Sequence, residues 1–178
     1  MHPRTQEIID YLDASHVEFK RALASIPHEL HNRKPGPDRW SVSEVVEHVS
    51  LVEKSFSQKL IAELNRARDA GIAEESDSSP VVPTFDATRA MDRSQPLVAP
   101  EAVRPHGGLD TEVTLATLDE HRNALRSAII GAEGLALGDV IMQHGKFGPL
   151  NLYQWSVFAA AHETRHVAQI REIGSQLA

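Results

Sequence analysis

Apolar residues recur along this chain at helical spacing in four long stretches, separated by turn-forming clusters and one long proline-rich interval. At about 100° per residue, Ile8, Leu12, Ser15, Phe19, Ala22 and Ile26 fall on one stripe, which predicts a first helix over residues 5–26. Pro27 stops it, and Pro35-Gly36-Pro37 forces an irregular connection. Ser41 and Glu44 have capping-box spacing and open a second helix with the stripe Val45, Val49, Val52, Phe56 and Leu60. Gly71 is its expected end. Asp110 or Thr111 starts the third long helix, with Leu118, Leu125 and Ile129 on its stripe, and Gly131, Gly134 and Gly138 mark its end. After a Gly148-Pro149 turn the fourth long helix runs from about Asn151 to Ile173. No strand and no internal repeat is predicted.

Residues 71–109 differ in character. Five of the ten prolines lie here (Pro80, Pro83, Pro96, Pro100, Pro105), yet Val81, Val82, Phe85, Leu97, Val98 and Val103 are too apolar for a free linker. The expectation is an extended segment packed along the bundle, with a short helix near Asp86–Arg93. The fold class that follows is all-α, a four-helix bundle with a long crossover between helices 2 and 3, as a single domain over residues 1–178.

Composition narrows the function. At 178 residues the chain buries roughly 70% of its unfolded surface, enough for a core. No apolar run approaches the ~20 residues of a membrane span, and Met1–Leu12 lacks a signal-peptide apolar region, so a cytoplasmic protein is expected. A net charge of -7 argues against nucleic acid or anionic membranes as main partners and leaves a small-molecule substrate. Cysteine is absent, so thiolate ligands and cysteine nucleophiles are excluded. Histidine is abundant, with ten copies, which directs attention to metal chemistry.

With Trp155 at zero phase on the last helix, His162 lies near about -20° and His166 near about 20°, the centre of the buried stripe. Imidazole is costly to bury without a partner. An i, i+4 pair on a rigid helix can chelate one ion, but two histidines do not complete a site. Taken alone, His48, about 60° from the Val45–Val52 stripe, reads as a boundary residue bonded to a backbone carbonyl; beside the His162–His166 pair it could project across as the third ligand.

His162-Glu163-Thr164-Arg165-His166 also spells HExxH, the pattern of zinc proteases with Glu163 as general base. Only twelve residues follow His166, and Glu172 lies about 120° away in phase, so this helix cannot supply that pattern's third ligand. Glu163 reads either as a group beside the site or as an ion-paired carboxylate. Gln169 lies within reach of the His stripe, to donate to a substrate or to bond a ligand histidine. Arg122 falls inside the apolar stripe of the third long helix, to bind an anionic substrate group or to pair with a buried carboxylate. These three are the candidate catalytic residues. His16 and His121 sit at stripe edges as structural residues. His2, His28, His31 and His106 are expected to face solvent, and Tyr153 and Trp155 to pack.

Trp40-Ser41-Val42-Ser43-Glu44-Val45-Val46-Glu47-His48-Val49 resembles the second-helix opening of the DinB/YfiT-like superfamily. His144-Gly145-Lys146-Phe147-Gly148-Pro149-Leu150, then Trp155 and His162 to Ile170, resembles its last helix and the preceding turn. Gly145 stands where that family usually has proline, which loosens the turn. The resemblance implies a four-helix bundle with a metal held by His48, His162 and His166. It also implies a metal-dependent transferase or isomerase that uses a low-molecular-weight thiol such as bacillithiol or mycothiol.

Three imidazoles leave open positions on Zn²⁺ or Ni²⁺, with Fe²⁺ or Mn²⁺ as further candidates. A diffusible thiol or water bound there becomes a nucleophile at neutral pH. The function expected is S-transfer to a small electrophile or thiol-assisted isomerisation. The alternatives are a metal-dependent hydrolase, including the HExxH type, and a non-catalytic metal-binding bundle that forms a homodimer.

Overall fold

The computed structural model describes residues 1–94 and 98–178. Four long helices form the bundle: α1 (Pro3–Ala24), α2 (Val42–Asp69), α4 (Thr111–Gly131) and α5 (Leu152–Leu177), with a five-residue helix α3 (Ala87–Met91) in the crossover. α1 packs on α5, and α2 on α4.

The helix starts are set by side chains that meet otherwise unpaired amides. Ser41 and Glu44 form the reciprocal capping box of α2, and Asn151 and Gln154 do the same for α5. Asp110 caps α4 by accepting from the Glu112 and Val113 amides. α1 starts earlier than its apolar stripe, because Pro3 suits a first turn and the His2 ring accepts from the Arg4 amide. It also ends two residues before Ile26.

The expectation of no strand is corrected. β1 (Ile141–His144) pairs antiparallel with β2 (Gly148–Asn151), with Met142 opposite Leu150 and His144 opposite Gly148. Four residues per strand are too few for a period-2 pattern to stand out, and Pro149 reads as a breaker until it is placed on a two-stranded edge. The turn expected at Gly148-Pro149 lies instead at residues 145–147, and Gly148 opens β2 directly after it with φ +77°.

The crossover is a strap held by side-chain bonds to its backbone. Glu7 accepts from the Val81 amide at 2.7 Å and the Val82 amide at 3.2 Å. Gln154 donates to the Thr84 carbonyl and Arg165 to that of Asp92. Val81 and Phe85 are buried as expected, but Val98 is 86% exposed, against expectation. Among the described residues nothing covers it. Leu97, placed in the same expectation, lies outside the described residues.

The core has two apolar clusters. One holds Ile8, Leu12, Phe56, Leu60, Leu125, Ile129 and Trp155; the other holds Phe19, Val45, Val49, Leu118, Val167 and Ile170. Between them in chain position, every long helix contributes polar residues: Ser15 and His16, Glu53, Arg122, and Glu163. Arg122, 2% exposed, donates to the Leu12 carbonyl of α1 at 3.4 Å, and lies 3.0 Å from Glu53 of α2 and 2.9 Å from Glu163 of α5. One guanidinium thus touches all three other long helices.

Burial pushes the Glu53 carboxyl up, and the neighbouring Glu163 adds to this while Arg122 opposes it. Burial would raise Glu163 too, but Arg122, His16 and Ser15 hold it below the usual carboxylate range. His16 bridges Glu163 at 2.7 Å and Asp119 at 2.5 Å. Burial alone would lower His16, but these two carboxylates raise it on balance.

Arg122→Ala takes the guanidinium from two buried carboxyl groups, of which Glu163 keeps only His16, and should destabilise by about 3–5 kcal/mol in denaturant titration. A loss under ~1 kcal/mol would contradict a buried ion pair at this position. His16, with its raised folded pKa, contributes stability that is full below its unfolded pKa of about 6.5 and fades as pH rises through the folded value. His16→Gln should therefore destabilise more at pH 6 than at pH 9; equal losses at both would show that the ring is uncharged.

Candidate metal centre

α5 presents His162 and His166 one turn apart, as the i, i+4 spacing requires. α2 brings His48 against them. One ring nitrogen from each of the three lies within 4.8 Å of the others. Ring centroids are 5.3 Å apart for His48 and His162, 4.9 Å for His48 and His166, and 4.6 Å for His162 and His166.

The outer nitrogens decide which atoms face inward. His48 Nδ1 donates to the Val103 carbonyl at 2.7 Å, and His166 Nδ1 donates to Gln169 Oε1 at 2.8 Å. A neutral ring that donates from Nδ1 keeps its lone pair on Nε2. The Nε2 atoms of His162 and His166 stand 3.2 Å apart. Two nitrogens bound to one zinc by bonds of roughly 2.0–2.1 Å at a tetrahedral angle stand about 3.3 Å apart. The His162–His166 pair therefore fits a divalent ion, and His48 offers the third nitrogen within 4.8 Å of both.

All three rings are held neutral, the form that ligates. Burial pushes His162 down to about 3, helped by His48 and Arg165. Burial, then His162 and His48, carry His166 well below its ordinary value, and burial lowers His48. Trp40 lies over His48 with ring centroids 4.9 Å apart, and Phe158 lies 5.9 Å from His162. These rings cover one face each of His48 and His162.

The structure separates the other candidates. Gln169 bonds His166, the second of its two expected roles. Glu163 turns to Ser15 at 2.7 Å, to His16 and to Arg122; among the described residues no hydrogen bond joins it to a triad imidazole. Arg122 pairs with Glu53 and Glu163. Glu172 is engaged by Arg39 and Arg93.

His31 is buried at 6% exposure, not solvent-facing, because its Nε2 donates to the Ile26 carbonyl at 3.0 Å where the chain folds back before α2. His106 is exposed, but its backbone amide donates to Glu47 at 3.0 Å. Trp155 and Tyr153 are buried as expected, and the Tyr153 hydroxyl donates to Glu75 at 2.9 Å. His48 does bond a backbone carbonyl, the partner expected for it as a boundary residue, and that carbonyl is Val103's; which main-chain acceptor it would be leaves no mark on residue identity.

Residues 8–170 match the DinB superfamily. The chain is 28% identical over 162 residues to the uncharacterized protein YuaE of Bacillus subtilis (strain 168), covering 90% of this chain and 93% of that protein. Among solved structures it is similar to TT2238, described as a four-helix bundle protein, with a TM-score of 0.62 and 20% identity over 94% of this chain and 98% of that one. That likeness speaks to fold. Among the described residues no helix is long and apolar enough to cross a membrane.

Gln169→Ala removes the acceptor that orients His166 and should weaken Zn²⁺ affinity about 10–100-fold in competition with a chromophoric chelator. Unchanged affinity would show that the ring is held by packing alone.

Proposed function

The chain belongs to the DinB superfamily, and we propose that it is a metal-dependent enzyme whose His48, His162 and His166 hold one divalent ion, Zn²⁺ or Ni²⁺. The reaction proposed is transfer of a low-molecular-weight thiol to a small electrophile, or thiol-assisted isomerisation. The observation that carries the metal reading is the convergence of one ring nitrogen from each of the three within 4.8 Å of the others, with the outer Nδ1 atoms of His48 and His166 taken up by Val103 and Gln169.

When bound, the ion supplies Lewis acidity that makes a thiol or water nucleophilic at neutral pH. Three protein ligands leave room for that exchangeable ligand, the pattern of catalytic sites. The chain's own residues orient and shield. Val103 and Gln169 fix the imidazole tautomers, and Trp40 and Phe158 cover one face each of His48 and His162. Since the chain has no cysteine, the sulfur must come from a diffusible thiol. The commitment of Glu163 to Arg122 favours this reading over an HExxH hydrolase, which needs that carboxylate free as a base.

Elemental mass spectrometry on untagged wild type and His48→Ala tests the metal reading. Near-stoichiometric Zn or Ni is expected in the wild type, with a fall of tenfold or more, on the order of one lost ligand, in the variant. Wild type that stays metal-free when offered Zn²⁺ or Ni²⁺ would overturn it. For the reaction, loaded protein should accelerate loss of free thiol in the presence of an activated aryl halide, and metal removal should abolish the gain. Thiol loss no faster than without protein, across bacillithiol, mycothiol and glutathione, would reject thiol transfer.

A further inference from the structure

The metal reading leaves one imidazole beside the site unused. His144 ends β1, half-buried, with its Nδ1 accepting the Lys146 amide at 3.0 Å and the Phe147 amide at 3.1 Å. The hairpin turn therefore occupies that lone pair, and in the neutral ring the proton sits on Nε2. Burial, followed by Lys59 and Lys146, lowers the pKa, so the ring is neutral at pH 7. Among the described residues the Nε2–H has no partner, and it is not among the atoms sealed from solvent.

The ring's place is set by aromatic neighbours. Its centroid lies 4.8 Å from Trp155 and 4.4 Å from Phe158, and Phe158 lies in turn 5.9 Å from His162. Trp155, Phe158 and His162 follow one another at i, i+3 and i+7 on one face of α5. His144 thus packs on the Phe158 ring, whose other imidazole neighbour on that face is His162 of the triad. It lies outside the set of ligating atoms. Its surroundings are cationic: Lys59 and Lys146 act on it, and Arg89 lies 5.6 Å over the Phe147 ring. In a chain of net charge -7, such a local excess suits an anion.

Resting on the triad reading, we propose that His144 is a ligand-binding residue of this centre, whose neutral Nε2–H donates to an anionic atom of a molecule seated against the His162 side of the triad. That atom is a thiolate sulfur or a carboxylate oxygen. The turn bonds at Nδ1 are what aim the donor, so the hairpin serves as the arm that brings a fourth imidazole to the site without adding a fourth ligand.

Two substitutions separate the donor from the turn. His144→Asn keeps an acceptor near the Nδ1 position and deletes the Nε2–H, whereas His144→Gln carries a donor at the longer reach. Co²⁺-loaded wild type and both variants are titrated with 2-mercaptoethanol and with acetate, following the visible absorption of the metal. The expected result is equal Co²⁺ stoichiometry in all three. At least one probe should bind about tenfold more weakly to His144→Asn, with recovery in His144→Gln to within about threefold of wild type. A loss confined to 2-mercaptoethanol assigns the donor to sulfur, and a loss confined to acetate assigns it to a carboxylate. Equal affinities for both probes in wild type and His144→Asn would overturn the proposal and leave the triad standing. So would equal weakening in both variants, or loss of Co²⁺ from either. A wild type that takes up no Co²⁺ would overturn the triad reading and this proposal with it.

Discussion

A guanidinium that cannot be neutralised by losing its proton must be surrounded by partners when it is buried, and Arg122 has them from every other long helix. Its bonds to the Leu12 carbonyl, Glu53 and Glu163 can all form only at one axial setting of α1, α2 and α5 against α4. An apolar core tolerates sliding by a fraction of a turn far better than such a knot does. Buried ion pairs are weak contributors to net stability, but their mispairing is costly, and this makes them effective at fixing register.

That register is what the candidate metal centre requires. Glu163 is the residue after His162 on α5, and Glu53 follows His48 on α2 by little more than one turn. The same two helices therefore carry the carboxylates that clasp Arg122 and the imidazoles that converge. α5 presents one set to α1 and α4 and the other toward α2 and the strap. The strap completes the arrangement, since its Val103 carbonyl orients His48. The crossover is thus part of the site's support as well as a connection between helices.

Much of this was legible in the chain because it rests on periodicity and on residues out of place. Two histidines at the centre of a buried stripe, and an arginine inside another, each demand a partner. The Ser41–Glu44 spacing marked the start of α2 for a local reason that survives in the fold. What escaped has the opposite character. Arg122 announces that it needs a carboxylate, but nothing along the chain says which of 25 acidic residues will meet it. Val103 acts through its main chain, and the hairpin from Ile141 to Asn151 is too short for its alternation to register. His31 is buried by the path of a loop, which no helical phase describes.

X-ray absorption at the metal edge of the loaded protein would test the central claim most directly. The account predicts three imidazole nitrogens at roughly 2.0–2.1 Å with one or more light atoms completing the shell, and two imidazoles after His48→Asn. A shell of oxygen atoms alone, or an imidazole count that His48→Asn leaves unchanged, would contradict it.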